Sequence, residues 1–470
     1  MLVPFATNSY KHDSLPISAQ RTVNLYAEAQ PKGAKTAVSV HGAPGIVTYA
    51  EAGTGPIRGA RLVGGVLYVV SGPWLYSITD DATPVVTRLG GQISGSGVVH
   101  IEDNGTQIVM VNGSNGYVYS TSSGFQLITD TDFHAANTVT FLDQFFLFDW
   151  AATNKFFRSD LLDGTAYDST AFASAESKSD NVLGVQALKQ VLWVFGEASM
   201  EPWHNAGAAN FPWERVPGGT IDRGILAANA HAMEDDGLFL IGEDRIGYRL
   251  GGSQLQRNTT HAIERAWQKY ATVTDAFGLS HTWNGHKFIS FTFPTQSTTW
   301  VYDIATQLWH ERESRDRSGN PLGRWRANCI VEAYGKTFVG DAYTGKVGYL
   351  DDTVFTEFGD PIYCEAVGPT IHANGKRIFI NEFRLDMETG VGLTSGQGSD
   401  PQVMLDVSED GGRTWSDMQP WQDLGKIGAT KTQLFWQRLG SCYQWTPRIT
   451  ISDPVRRAIL EANLEMKVGL

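Results

Sequence analysis

"VLYVVSGPWLYSI" (Val66–Ile78) holds two short apolar runs separated by a Gly-Pro turn, the second carrying a tyrosine. Alone it reads as one β-hairpin. It decides the fold because its first half recurs, as "QIVMV" at Gln107, "QFFLF" at Gln144, "QVLWV" at Gln190, "GLFLI" at Gly237, "KFISF" at Lys287 and "KTFVG" at Lys336. The intervals are roughly 41, 37, 46, 47, 50 and 49 residues, close to the repeat length of propeller blades. Most runs are followed after a turn by a second strand: "GYVYS", "NKFFRS", "RIGYRL", "TTWVYDI" and "KVGYLD". Paired strands at that period fit four-stranded blades around an axis. A string of unrelated hairpins in a sandwich is the alternative, and the even spacing disfavours it. We therefore expect an all-β chain with a β-propeller over 58–354. It has six or seven blades, since outer hairpins can be incomplete or can close the ring jointly with a terminus.

The flanks read differently. Residues 1–57 carry Pro and Gly at several points and are expected to pack as an extended arm. Past about Phe355 the period is lost, and "KRIFINEFRLDME", "QVMLDVSEDGGRTWS", "QLFWQRLGSCYQWTPRITIS" and "ILEANLEMKVGL" read as alternating strands, with a flexible "TGVGLTSGQGSD" between the first two. Residues 355–470 are expected to form a β-sandwich-like domain. Two segments read as helices inserted between blade strands. "NTTHAIERAWQKYATV" has Thr259 or Thr260 as N-cap and Ile263, Ala266, Trp267 and Tyr270 on one face, and "DRGILAANAHAMEDDG" is shorter.

Composition agrees with β structure. Fifty glycines and 11% aromatics in 470 residues favour strands joined by tight turns. The net charge of −13 opposes the phosphate neutralisation on which duplex binding rests, so sequence-specific DNA recognition is not expected. Three cysteines, Cys329, Cys364 and Cys442, form no CxxC pair and read as buried thiols of a protein made in a reducing cytoplasm. "MLVPFATNSYKHDS" shows no basic segment followed by an apolar run, and nowhere do about eighteen apolar residues stand together, so neither a signal peptide nor a membrane span is expected.

The search for chemistry turns on "SEDGGRTWS". Ser408, Asp410, Gly412, Thr414 and Trp415 match the Asp-box pattern of sialidases. An Asp ahead of Gly-Gly accepts hydrogen bonds from turn amides, and Trp415 can cover the turn, so turn chemistry explains the residues without a catalytic role. A sialidase would also need an arginine cluster, and Arg58 and Arg61 in "PIRGARL" are poor substitutes. "YGKTF" at Tyr334 has Ile330 where a phosphate loop needs glycine. His281 and His286 in "HTWNGH" lack a third metal ligand nearby and read as hairpin histidines, while Asp80-Asp81, Asp235-Asp236 and Asp351-Asp352 read as solvated turn carboxylates. No catalytic, cofactor or metal residue is assigned.

"RTVNLYAEAQPKGAKTAVSVHGAPGI" (residues 21–46), "NTTHAIERAWQKY" and "GHKFISFTFPTQSTTWVYDIATQLWHERES" (residues 285–314), with "LFWQRLGSCYQWTPRITI" and "ILEANLEMK" further on, resemble the packaged-DNA stabilisation, or tail accessory, proteins of short-tailed bacteriophages. The resemblance covers most of the chain. It implies a non-enzymatic virion tail protein made in the host bacterial cytoplasm. Such a protein forms a homo-oligomeric ring of six below the portal and its adaptor, closes the DNA channel after packaging and attaches a tail needle or tailspikes, with DNA only as channel contents. The alternative is a sialidase-like glycan hydrolase or glycan-binding propeller.

Overall fold

The computed structural model describes residues 1–208, 210–252, 254–416 and 419–469. The recurring apolar runs are the second strands of seven four-stranded blades. Five blades are separate sheets that follow chain order. Their first and second strands are Ile57–Val63 and Val66–Ser71, His100–Asp103 and Gln107–Val111, Val139–Leu142 and Phe145–Trp150, Val182–Leu188 and Val191–Gly196, and His231–Glu234 and Gly237–Ile241. The sixth blade begins with Phe277–Trp283 and His286–Phe293, and the seventh with Ala327–Ala333 and Lys336–Asp341. Both belong to larger sheets. First strands of neighbouring blades touch around the axis, and that of the seventh touches that of the first.

Local chemistry explains the hairpins. In five blades the turn after the first strand is a residue pair with both φ values positive: Gly64-Gly65, Asp143-Gln144, Asp235-Asp236, Asn284-Gly285 and Tyr334-Gly335. This geometry matches the right-handed strand twist and favours Gly, Asn and Asp. The second strands pack between blades and are buried on both faces, as in Gly237–Ile241 and Phe145–Trp150, which explains their continuous rather than alternating bulk.

The expected N-terminal arm is distributed among several sheets. Gly45–Glu51 lies antiparallel to the third strand of blade seven, Lys346–Asp351, and completes that blade. Ala19–Val23 pairs with Cys364–Val367 in one sheet of the C-terminal sandwich, while Leu25–Ala29 and Val38–Gly42 extend the other through Ala458–Val468. These partners stand about three to four hundred residues downstream, so no local pattern exposed them.

The sandwich sets Cys364–Val367, Gln444–Ile451 and Gln402–Ser408 against Ala458–Val468, Ile378–Met387 and Leu434–Gln437. Its core gathers Phe383, Leu405, Trp436, Trp445 and Ile449. One sheet is continuous with blade six, because Ala19–Val23 bridges the blade's last strand, Trp309–Glu311, at Val23 and Glu311. Asn24 sits at this crossing, fully buried with φ of 55°. Its amide nitrogen donates to the carbonyls of Glu313 and Tyr363 at 2.8 Å each, and its side-chain oxygen accepts from the Glu313 N–H at 3.1 Å. Arg21 adds ion pairs to Glu311 and Glu365 across the same seam.

The first expected helix is present as His261–Gln268, capped at Thr260 by backbone geometry alone, with Ile263 and Trp267 buried. The second is not. Residues 222–230 form bends and isolated bridges, and "HAME" is the first strand of blade five. Its alanines suggested a helix, yet Ile225, Ala227, Ala230 and Ala232 are buried among large side chains of the blade core, where small residues let neighbouring segments approach closely. The "TGVGLTSGQGSD" segment has no strand, and Gly390 bonds Leu424 and Gly428.

Candidate functional site: the propeller axis and the Asp-box turn

The first strands surround a cavity of about 450 Å³ on the propeller axis, lined by Arg61, His100, Glu102, Gln186, His231 and Ser280 among others. Its side chains are engaged with one another. Arg61 pairs with Glu102 and with Asp103, the latter at 2.8 Å. Burial raises the Glu102 carboxyl to about 7, against the pull of the Arg61 charge. Burial lowers the His100 imidazole to about 4 and that of His231 to about 3, so both are neutral near pH 7.

Arg58, one of two arginines weighed for substrate binding, is buried and donates to the carbonyls of Gly97 (2.7 Å), Gly72 (3.0 Å), Ile93 (3.2 Å) and Ser94 (2.8 Å). It ties blade one to the loop entering blade two. With Arg61 held by two carboxylates, both arginines have protein partners.

The Asp-box residues come together in one turn. The Ser408 hydroxyl donates to Asp410 at 2.8 Å and accepts from the Gly412 N–H at 2.7 Å. Asp410 accepts the N–H groups of Arg413 and Thr414, each at 2.9 Å, and the Thr414 hydroxyl at 2.7 Å. These donors hold its carboxyl below the usual range. Trp415 lies against the Arg448 guanidinium at 4.4 Å, and Arg448 pairs with Asp406 at 2.8 Å. The glycines seat the turn on the N-terminal segment: a Cβ on Gly411 would stand 2.7 Å from Pro16, and one on Gly412 would stand 2.4 Å from Ala19.

The other residues singled out are dispersed. His281 and His286 belong to one hairpin of blade six. His286 bonds Asp303 at 2.8 Å, which raises its pKa, and His281 is buried between Phe288 and Trp325. Tyr334 and Gly335 of "YGKTF" form a hairpin turn. Cys329, Cys364 and Cys442 are free and buried. Among the described residues, no group of three or more His, Cys, Asp or Glu could hold a metal ion, and no helix is long and apolar enough to cross a membrane.

Asn24, the Arg21 ion pairs and the Arg58 carbonyl contacts escaped the sequence reading, which weighed Arg58 only as a substrate arginine. Asn24 and Arg58 are buried and Arg21 half-buried at seams, and their partners are too distant in sequence to leave a signal.

Fold and site together define a propeller joined to a β-sandwich through one shared sheet, a rigid two-part scaffold. Family models cover almost all of it: "Bacteriophage P22 Gp10, beta-propeller" matches residues 1–355, and "Bacteriophage P22 Gp10, beta-sandwich" matches residues 363–467. The chain belongs to the bacteriophage P22 Gp10 family and has a structural role in a phage tail. No curated protein sequence matches it. Among solved structures, the WD40 propeller domain of Doa1 is 10% identical, with a TM-score of 0.42 over 66% of this chain and 97% of that one. Streptogramin B lyase is 12% identical, with a TM-score of 0.42 over 70% and 98%. BamB from Moraxella catarrhalis is 11% identical, with a TM-score of 0.38 over 71% and 98%. Likenesses this loose say nothing of function.

Proposed function

We propose that this chain is a wall and docking component of a short-tailed phage tail and has no catalytic activity. Copies assemble as a ring of six beneath the portal and its adaptor, close the DNA channel once packaging ends, and carry the tail needle or tailspikes. The protein is made in the host cytoplasm and resides in the virion. Membership of the P22 Gp10 family over both parts of the chain carries this reading. The fold supports it physically. A closed propeller pairs the edges of its blades internally and leaves loops for contacts, and the sheet shared with the sandwich transmits load between the two parts. In the same reading the Asp-box turn, seated on Pro16 and Ala19, clamps the N-terminal segment.

Particles assembled without the protein test the role. They are expected to package full-length DNA and then leak it. Particles that stay full would overturn the channel-closing role. The purified chain should be monomeric or weakly associated and should co-sediment with the portal-adaptor complex at micromolar concentration, where symmetry multiplies weak contacts. Failure to co-sediment would overturn the docking site.

A further inference from the structure

Exposed cations of this chain are often paired, as Lys35 is with Asp386, Lys269 with Asp13 and Lys287 with Asp235. Others are not, among them Lys11, Lys32, Arg88, Lys336 and Lys431, and within that group Lys376, Arg377, Arg438 and Lys467 stand out by lying together. All four are exposed at one end of the sandwich, and none makes an ion pair with a described residue. The strand register gathers Arg377, Arg438 and Lys467, and Lys376 precedes them in the turn that enters the strand. Lys467 stands directly opposite Phe379 in the Ile378–Met387 and Ala458–Val468 pair, so the two share a face. Arg377 is two residues before Phe379 and lies on that same face, its guanidinium 5.9 Å from the Tyr443 ring. Arg438 bonds through its N–H to the Asn381 carbonyl. At about 3.3 Å per strand residue, the five steps from Lys376 to Asn381 span about 17 Å, so the cations lie within roughly 20 Å of one another, about three phosphate spacings. Two carboxylates share this face: Glu465 accepts from the neutral Asn381 amide at 3.2 Å, and Glu382 pairs with Arg384 at 2.8 Å.

The same surface exposes aromatic rings, Tyr443 at 62% and Phe379 at 44%. Cations alone suit any polyanion, whereas rings set among them suit one whose units have flat faces. The chain's net charge of −13 does not forbid this, because at 0.1 M salt fields decay over about 10 Å and the local patch decides. We propose that this end of the sandwich binds single-stranded nucleic acid, with phosphates on Lys376, Arg377, Arg438 and Lys467 and bases stacked on Tyr443 and Phe379. The inference stands apart from the tail reading, in which DNA is only channel contents.

Fluorescence anisotropy of the full chain with a labelled 20-nucleotide single strand, its duplex and poly-glutamate tests it. Four phosphate contacts predict a log–log salt slope near −3, about a 50-fold loss of affinity between 50 and 200 mM salt. The single strand should bind more tightly than the duplex. Lys376→Glu combined with Lys467→Glu should abolish binding, and Tyr443→Ala should weaken the single strand about tenfold or more while leaving the duplex unchanged, with circular dichroism confirming the fold of each variant. Equal binding of poly-glutamate, indifference to Tyr443→Ala, or no single-strand binding at 50 mM salt would each overturn the proposal.

Discussion

Asn24 offers a sharp test of how the two parts are joined. Its side chain makes three buried hydrogen bonds, to Glu313 twice and to Tyr363 once, and its φ of 55° lies in the left-handed region. Asn24→Gly removes the bonds but keeps the backbone comfortable. At about 1 kcal/mol per bond, and more for a buried Glu313 N–H left unpaired, the loss is about 3 to 5 kcal/mol. Asn24→Ala should lose about 1 kcal/mol more, because its Cβ crowds the backbone carbonyl in that conformation. Thermal unfolding followed by near-ultraviolet circular dichroism reads both. With about 2 to 4 °C lost per kcal/mol for domains of this size, the midpoint should fall by roughly 10 °C. Limited proteolysis should also separate propeller from sandwich in the variants first. An Asn24→Ala midpoint within about 1 °C of the parent would refute the bond accounting. Equal midpoints for the Ala and Gly variants would refute the backbone part alone.

Other expectations follow from the same geometry. A Cβ on Gly348 would stand 2.3 Å from the Val47 carbonyl, so Gly348→Val should part the strand that completes blade seven, read as faster protease release of a fragment near residue 50. His231, His281 and His310 are each held by burial to about 3. Unfolded histidines titrate near 6.5, so these three and His100, held to about 4, take up nearly four protons on unfolding at pH 5, while Glu102, raised to about 7, and Asp149, raised to about 6, release nearly two, leaving the unfolded chain with about two more. Stability should therefore fall as pH drops below about 6.5, with proton uptake on unfolding, and a flat urea midpoint from pH 7 to 5 would contradict this. Asp410→Ala should lower stability by about 1 kcal/mol, the lower end for lost turn bonds because the turn is partly exposed. Its carboxyl is depressed, so that contribution is present above the usual carboxylate range and should fade only in stronger acid, which urea unfolding of both proteins at pH 7 and pH 2 measures.

The blades were legible because each second strand is a local signal: an apolar run at a repeat distance, preceded in five of the seven by a turn with positive φ values. "KFISF" could be placed without knowing its neighbours. That a terminus could help close the ring was legible, but not which strand does it, since Gly45–Glu51 looks like any short strand and its partner at Lys346–Asp351 is about 300 residues away. "DRGILAANAHAMEDDG" misled because alanine favours helices intrinsically, whereas here it is the small size of Ala230 and Ala232 that the blade core uses. That Asp410 accepts turn amides was readable, as the bonds lie between Ser408 and Thr414, but the part of Ser408 and the seat on Pro16 and Ala19 were not.

The early strands also set a timetable. Gly45–Glu51 cannot pair until residues 346–351 exist, and Val40 and His41 wait for Ile459 and Ala458. At bacterial synthesis rates of about 5 to 20 residues per second, these edges stay open on the ribosome for on the order of half a minute. During that time the nascent chain carries unpaired strands ahead of its first blade. A chain halted before residue 458 holds every residue of the junction that braces blade six, all before 368, but cannot finish its sandwich. The sandwich thus stays with an open sheet edge until residues 458–468 emerge, the last described strand to join it.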